Sequence, residues 1–524
     1  ILCGVCMPIS LKLPNLDSNP ILLAETRAHK INEFIQNLPF GDPIRAASDL
    51  IEELQIINSQ KVAFTNRLNA LELYRPAAIQ IYQDLIPHFS GASLPISKNE
   101  QAFADAAEQL WQEFAFGYKF ALVDLQNKIL NLGSSKTTAL VVQRAIHACK
   151  EMMLIHHLTY ASAPVSIWGE LHQLYYCALQ QSAEKLPVSE HYTSINASSV
   201  NLIYAQTLLL NLANPQHLAN KDILSLDSYL GNVAHQAELR PLGFIENPTG
   251  VFLVSLDGAK PPTAFVKNKE IPDGSTDILL VTVNLARQIH QHIKLLQEGV
   301  VPNDGSMPSN AIETHFEDLL AHLIKQYGKT PQRLFSRSKK SDGVELSIGI
   351  NTTHHLIREV GSPLNNHQGI SGLNTNGFYR PSRWQILNVS AGGYALRKFN
   401  SSMASAHIGD VVAMKDNNTK TWELAVLRWA NVNELKQLDV GLQLISPSAS
   451  AVSIRADDNA LESEALLLPE LSALKQAASI IAAVGLCKVG STVEVHHNNT
   501  VSKVRTTKLV ERTASFERFQ YSLI

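Results

Sequence analysis

The sequence predicts a multidomain α+β chain: an all-α N-terminal half, a small mixed connector, then two small antiparallel β domains in tandem. Three observations predict it. Apolar residues recur at helical spacing almost without interruption from Leu22 to Leu239. Beyond Arg240-Pro241, short strand-like runs and helical runs alternate. From Leu334 onward the pattern is strand alternation broken by polar turns. A length of 524 residues fits roughly three or four domains. The expected divisions are 7–235, 236–328, 329–448 and 449–524.

In the first part, Leu23, Ile31, Phe34, Ile35 and Leu38 recur at helix spacing, as do Leu110, Phe114, Tyr118, Leu122 and Leu125. Further helices are expected over 137–159, 164–184, 200–212 and 222–238. Turn residues break them at Gly91, Gly133-Ser134-Ser135, Pro187 and Asn214-Pro215. Such a chain forms a bundle or a stack of helix pairs. No fixed-period repeat marks a solenoid.

In the connector, Val251–Leu256 and Thr263–Val266 read as a strand pair around Asp257-Gly258, and Asp277–Val283 as another strand. Amphipathic helices follow over Asn284–Glu298 and Ile312–Tyr327. The β region opens on the clean alternation of Val344–Ile350 and continues with Val411–Met414, Trp422–Trp429 and Val440–Ile445. A last β segment holds Thr492–His496, a turn at Asn498-Asn499, Lys508–Glu511 and Phe516–Leu523. Two small barrels or sandwiches fit this spacing.

Charge and cysteine content narrow the function. Lys and Arg number 44 against 47 Asp and Glu, a net charge of −3, which excludes a chain-wide electrostatic grip on DNA, RNA or anionic lipid. A nucleotide partner is therefore small and held locally. An apolar fraction of 45% excludes wholesale disorder. Cys3, Cys6, Cys149, Cys177 and Cys487 are too scattered for a disulfide framework and fit a reducing compartment. Cys3 and Cys6 have CxxC spacing without a second ligand pair, so no metal site is expected. Ile1–Cys6 lacks a basic leader region, and Met7-Pro8-Ile9 reads as the natural start. No apolar run reaches the ~18 residues of a membrane span. A cytoplasmic location is expected.

Two short stretches carry chemistry. Gln332-Arg333-Leu334-Phe335-Ser336-Arg337 holds an RxxxR pattern where a helix gives way to the first strand. Asn388-Val389-Ser390-Ala391-Gly392-Gly393 fits D/N-x-S-x-x-G between a strand and its partner. In this order they resemble the PilZ domain, the bacterial receptor module for cyclic di-GMP. The downstream run agrees: an I-G-D turn at Ile408-Gly409-Asp410, a strand ending Arg428-Trp429, and a glycine-bearing strand Val440-Gly441-Leu442-Gln443-Leu444. The resemblance covers Gln332–Ser446, about a fifth of the chain. It implies a PilZ-like antiparallel barrel with an N-terminal helical extension and a C-terminal β extension. Cyclic di-GMP would be held by Arg333, Arg337, Asn388, Ser390 and Gly393.

These residue types suit that ligand on chemical grounds. Guanine presents N7 and O6 as paired acceptors, which one planar guanidinium meets at once. A guanidinium also stacks on a purine or bridges to phosphate. Asn388 and Ser390, two apart on a strand, share a face and can read a base edge or ribose. Gly393 leaves room for a base against backbone. Each pattern alone is ordinary surface or turn; the ordered pair, with strand patterns in register around it, carries the reading.

From Arg337 to Asn388 is 51 positions, longer than the family's usual gap. The excess lies in Glu359–Ser382 and reads as an inserted loop. It adds Arg380 and Arg383, and Arg397-Lys398 follow Gly393, as further cations that also read as plain surface charge. The doublets His156-His157, His354-His355 and His496-His497 point apart as chain neighbours, so no metal site follows. HExxH, GxSxG and GxxxxGKS/T are absent from the sequence, so no enzyme is expected. The leading reading is a second-messenger effector that relays a cyclic di-GMP signal to a protein partner through its helical domain. The alternative is a scaffold that retains a degenerate barrel. A nucleic-acid-binding tandem barrel fits less well, because no basic stripe interleaved with aromatics is present.

Overall fold

The computed structural model describes residues 11–127, 135–190, 197–266, 276–328, 338–339, 342–360, 381–399, 405–416, 421–456, 461–472, 475–498 and 500–524. Packing divides the chain into two compact units, Ile1–Ala92, Lys98–Pro215 and Asn220–Gln332 forming the first and Ser93–Ser97, Gln216–Ala219 and Arg333–Ile524 the second.

The first unit is built on helices α1 (Ala28–Gln36), α2 (Pro43–Asn58), α3 (Phe64–Leu85), α4 (Lys98–Gln126), α5 (Ser135–Leu158), α6 (Val165–Gln180), α7 (Val200–Leu212) and α8 (Asn220–Val233). A two-strand hairpin, β1 (Val188–Ser189) and β2 (Ala197–Ser198), precedes α7. Starts are set by local chemistry. Asp42 accepts a hydrogen bond from the Arg45 amide at 3.2 Å ahead of Pro43, and Ser199 caps α7 through the Leu202 amide at 3.1 Å. The predicted stripe Leu110–Leu125 on α4 is buried throughout. Leu23 departs from expectation: it is exposed, and α1 begins only at Ala28. The Gln60 carboxamide explains this, accepting from the Ala24 amide at 3.1 Å and donating to the Leu22 carbonyl at 2.6 Å, which holds the segment out of a helix.

Helix α5 is buried along most of its length, so its charged side chains must be paired. Arg144 meets Glu190 at 2.6 Å and Glu72 at 3.1 Å, while Lys150 meets Asp227 at 2.8 Å and Glu151 at 2.9 Å. The same unit contains the connector: β3 (Glu238–Pro241), β4 (Val251–Val254), β5 (Thr263–Ala264), β6 (Ile278–Val281), α9 (Val283–Gln297) and α10 (Phe316–Gly328). The strands form an antiparallel sheet in the order β3-β6-β4-β5.

The second unit holds two closed barrels. The first uses β7 (Ser338–Lys339), β8 (Gly343–Ile348), β9 (Ser382–Ser390), β10 (Gly393–Lys398), β11 (Val411–Asp416), β12 (Glu423–Val432) and β13 (Leu438–Ser446). β10-β13-β12-β11-β8-β9 close into a six-strand ring through the β9–β10 pairing, and β7 adds to β9. The alternation predicted to Ile350 stops at Ile348. Gly349, at φ +95°, turns the chain into α11 (Ile350–Val360) instead. Residues 361–380 of the expected insertion, with Arg380, lie outside the described residues.

The second barrel closes in the order β14 (Ser450–Ala456), β15 (Ser463–Leu468), β16 (Ser479–Ala482), β19 (Glu517–Leu523), β18 (Thr500–Arg512), β17 (Thr492–His497). Its interior packs Val452, Ile454, Ile480, Val493 and Phe519. A second cluster joins the barrels: Val411, Leu424, Val426 and Ile445 against Leu466, Leu468, Ile481 and Phe516. That is why Val411–Met414 of β11 reads as an unbroken apolar run; both its faces are covered.

Candidate functional site

The second motif occupies the β9–β10 hairpin. Trp384 and Ile386 are buried in the barrel, and Ile386 pairs with Leu396. The register then passes over Leu387, so that Asn388 pairs with Ala395 and Ser390 with Gly393. This bulge flips the side-chain alternation. Asn388 and Ser390 therefore share the face opposite Ile386, where both are partly exposed. The Ser390 hydroxyl donates to the Gly393 carbonyl at 3.4 Å. Among the described residues, the Asn388 carboxamide has no hydrogen-bond partner. It is a polar side chain on the outer face of β9.

Gly393 plays a part that the sequence reading did not give it. A Cβ built there would lie 1.9 Å from the Leu442 carbonyl oxygen. Its missing side chain is required by the close approach of β10 to β13, independently of any ligand. Gly441 is constrained in the same way: a Cβ there would fall 1.8 Å from Trp429 Nε1, so the indole lies directly against the backbone. The glycine-bearing strand and the Arg-Trp strand of the sequence pattern are two halves of one packing contact.

Arg333 and Arg337 lie outside the described residues. The chain that follows them does not. Ser338, the residue after Arg337, pairs with Val389, and Lys339 pairs with Asn388. The strand leaving the first motif is thus hydrogen-bonded onto the second.

The other cations differ in their freedom. Arg397 is committed: its Nε and Nη2 donate to the two carboxylate oxygens of Asp439 at 2.6 and 2.8 Å. That pairing raises its pKa, mainly through the hydrogen bonds to Asp439. The Lys398 pKa is lowered by partial burial. Arg383 is exposed on β9. Arg428, which the sequence marked only as part of a strand end, donates to Gln443 at 2.7 Å and pairs with Glu511 of the second barrel at 2.5 Å. Gln443 is the register partner of Gly393, which places this polar chain beside the hairpin turn. The I-G-D turn is a joint between the barrels. Asp410 accepts from the His407 amide at 2.7 Å and from the Ser515 hydroxyl at 2.5 Å. Gly409, at φ +94°, packs against Thr513.

Among the described residues, no group of His, Cys, Asp and Glu is arranged to hold a metal. Cys3 and Cys6 lie outside them. Burial pushes the Cys149 thiol up to about 12 and the Cys487 thiol up to about 11, which makes both poor nucleophiles. His354 and His355 do not simply point apart: both approach Glu464, at 3.5 and 3.1 Å, fastening α11 to β15. Among the described residues, no helix is long and apolar enough to cross a membrane.

Comparison with known proteins agrees with this domain order. The model of the middle PilZ domain of the cyclic-di-GMP receptor FimW matches residues 251–365 and 365–451. The middle of the chain is a PilZ domain. The PilZ barrel is flanked by a match to the FimW N-terminal domain over residues 29–242 and to the FimW C-terminal β-barrel domain over residues 451–524. Over the whole length, the chain is similar to the cyclic-di-GMP receptor FimW of Pseudomonas aeruginosa, at 22% identity across 98% of this chain and 93% of the relative. The middle-domain match begins at residue 251 and so takes in most of the connector, which by packing sides with the helices.

Proposed function

We propose that this protein is a cytoplasmic cyclic di-GMP effector whose PilZ barrel binds the ligand and whose helical half relays the signal to a protein partner. The observation that carries the reading is the pairing of Ser338 and Lys339 with Val389 and Asn388, which fastens the chain leaving RxxxR onto the NxSxxG strand. Arg333 and Arg337 supply guanidinium forks for guanine O6 and N7 and for phosphate. Asn388 and Ser390 read a base edge or ribose from the outer face of β9, and Gly393 shapes the hairpin that presents them. The near full-length similarity to a protein named as a cyclic-di-GMP receptor supports the ligand.

No enzymatic step is part of this proposal. The protein acts by binding, and its output is a change in what the helical half presents. Arg333 follows the end of α10 by five residues in the sequence, a short covalent link from the motif to that helix. The four-part division at 235, 328 and 448 remains our proposal for the working domains.

Titration calorimetry of the full chain with cyclic di-GMP, GTP and a short single-stranded oligonucleotide tests the reading. Binding of cyclic di-GMP alone supports it. Binding of none would favour the scaffold alternative, and preference for the oligonucleotide would favour nucleic-acid recognition.

A further inference from the structure

The connector carries a cleft whose lining includes none of the candidate ligand residues. Its volume is about 560 Å³, and it is bounded by the start of α9, the end of α10 and the turn before β4. Val283, Ala286 and Ile324 give it an apolar floor. The walls are tied together at one point: the Thr282 hydroxyl oxygen lies 3.1 Å from the Gly250 carbonyl and 3.0 Å from the Tyr327 carbonyl. Gly250, at φ +71°, leaves only 3.1 Å between its missing Cβ and that hydroxyl, so this corner admits little other than glycine.

One side of the cleft carries two cations. Arg287 and Lys294 line it with His290 between them, at helical spacing i, i+3 and i+7, a row about 10 Å long. Arg287 commits one N–H, from Nη1, to Asn284 Oδ1 at 2.7 Å. Among the described residues, none of the three meets a carboxylate, and neither Asp nor Glu lines the cleft. The nearby acid, Asp304, contacts Gln288 at 3.5 Å and His292 at 3.1 Å, which face a different side of α9. A basic row, an apolar floor and a volume in the range of about 300–1,000 Å³ typical of small-molecule sites coincide.

We propose that this cleft binds a phosphate-bearing ligand of mononucleotide size, with its phosphates along the Arg287–Lys294 row and its flat ring on the Val283–Ala286–Ile324 floor. Arg and Lys are the side chains that hold phosphate most strongly. The apolar floor gives a planar ring something to cover that a bare anion cannot use. A small molecule, rather than an acidic protein segment, is favoured by the volume and by the tied corner at Gly250.

The test uses the full chain carrying Arg333→Ala and Arg337→Ala, so that the PilZ site is disabled and cannot contribute. ADP, inorganic pyrophosphate and a polyglutamate peptide are titrated separately by calorimetry. The expected result is that ADP binds, that pyrophosphate binds more weakly, and that adding Arg287→Gln with Lys294→Gln weakens ADP roughly tenfold or more. Those two side chains are exposed, so an unchanged melting temperature is expected to confirm that the fold is intact. The proposal is overturned if ADP fails to bind at millimolar concentration, if the double substitution leaves its affinity unchanged, if pyrophosphate binds as tightly as ADP, or if the peptide binds in its place. Cyclic di-GMP titrated into the Arg287→Gln, Lys294→Gln chain with intact Arg333 and Arg337 should bind normally. The two sites therefore fail independently.

Discussion

The two barrels of the second unit are alike in architecture and unlike in what they carry. Each closes six strands, and they share an apolar cluster where they meet. Both barrels carry register bulges, but the PilZ barrel has an additional edge strand, β7, and two glycines whose Cβ positions are occupied by neighbouring atoms. In the C-terminal barrel, Gly485 and Gly490 face open space, and their only demand is a left-handed turn at φ +78° and +90°. The comparison teaches that closure alone does not make a site. What distinguishes the PilZ barrel is local: a hairpin whose glycine is required by close backbone packing, and a strand, the continuation of the arginine motif, paired onto that hairpin.

Glycine substitutions should break this contrast most sharply. Gly393→Val and Gly441→Val each drive a branched side chain into backbone or indole, and each is expected to cost about 3 kcal/mol or more of stability. Gly490→Ala in the C-terminal barrel meets no neighbour and should cost only about 1 kcal/mol, from the left-handed backbone. Chemical denaturation of the three variants checks this. Equal losses would mean that the glycines of the PilZ barrel are ordinary turn residues. Because Gly393 is required by packing, its loss of ligand binding would say nothing about a base contact, and the polar side chains must carry that question.

Arginine substitutions sharpen the comparison from the ligand side. Arg333→Ala and Arg337→Ala should each weaken cyclic di-GMP by about 1–3 kcal/mol while leaving the melting temperature in place. Lys at either position should restore little, since an ammonium lacks the planar fork. Arg397→Ala should behave in the opposite manner. Asp439 is left mostly buried and unpaired, so stability falls by about 1–2 kcal/mol while affinity is retained. A large affinity loss on Arg397→Ala would place that guanidinium in the ligand site instead.

The smallest effects belong to the neutral readers. Asn388→Ala should cost about 1–2 kcal/mol of affinity and Ser390→Ala about 0.5–1.5, with the salt dependence of binding unchanged because no charge is lost. Asn388→Ala should also narrow the preference for cyclic di-GMP over cyclic di-AMP, since adenine offers a donor where guanine offers an acceptor. Unchanged affinity and preference in both variants would reduce the motif to a turn.

Much of this was legible in the sequence, for reasons that differ by region. The α4 stripe from Leu110 to Leu125 is a long amphipathic repeat, and every member is buried as its spacing requires. The order of β11, β12 and β13 followed from alternation and turns. The misses have physical causes. Leu23 has helical spacing, but a distant side chain, Gln60, satisfies its neighbours' backbone groups and keeps them extended. The helix α11 follows an apolar alternation, and only Gly349 marks the change of direction. Arg397 looked like a free cation because its partner, Asp439, lies 42 residues away and is brought opposite by strand register. In the proposed site, spacing already put Asn388 and Ser390 on one face, but that this face is the outer one depends on a bulge at Leu387 that no residue pattern announces.

The most direct measurement is calorimetric titration of cyclic di-GMP into the full chain and into its Arg333→Ala, Arg337→Ala double variant. The account predicts saturable binding by the full chain, a loss in the double variant of roughly 25-fold or more, and the same melting temperature for both proteins without ligand. Equal binding by the two proteins, or no binding by the full chain, would contradict the assignment of the RxxxR and NxSxxG segments to one ligand site.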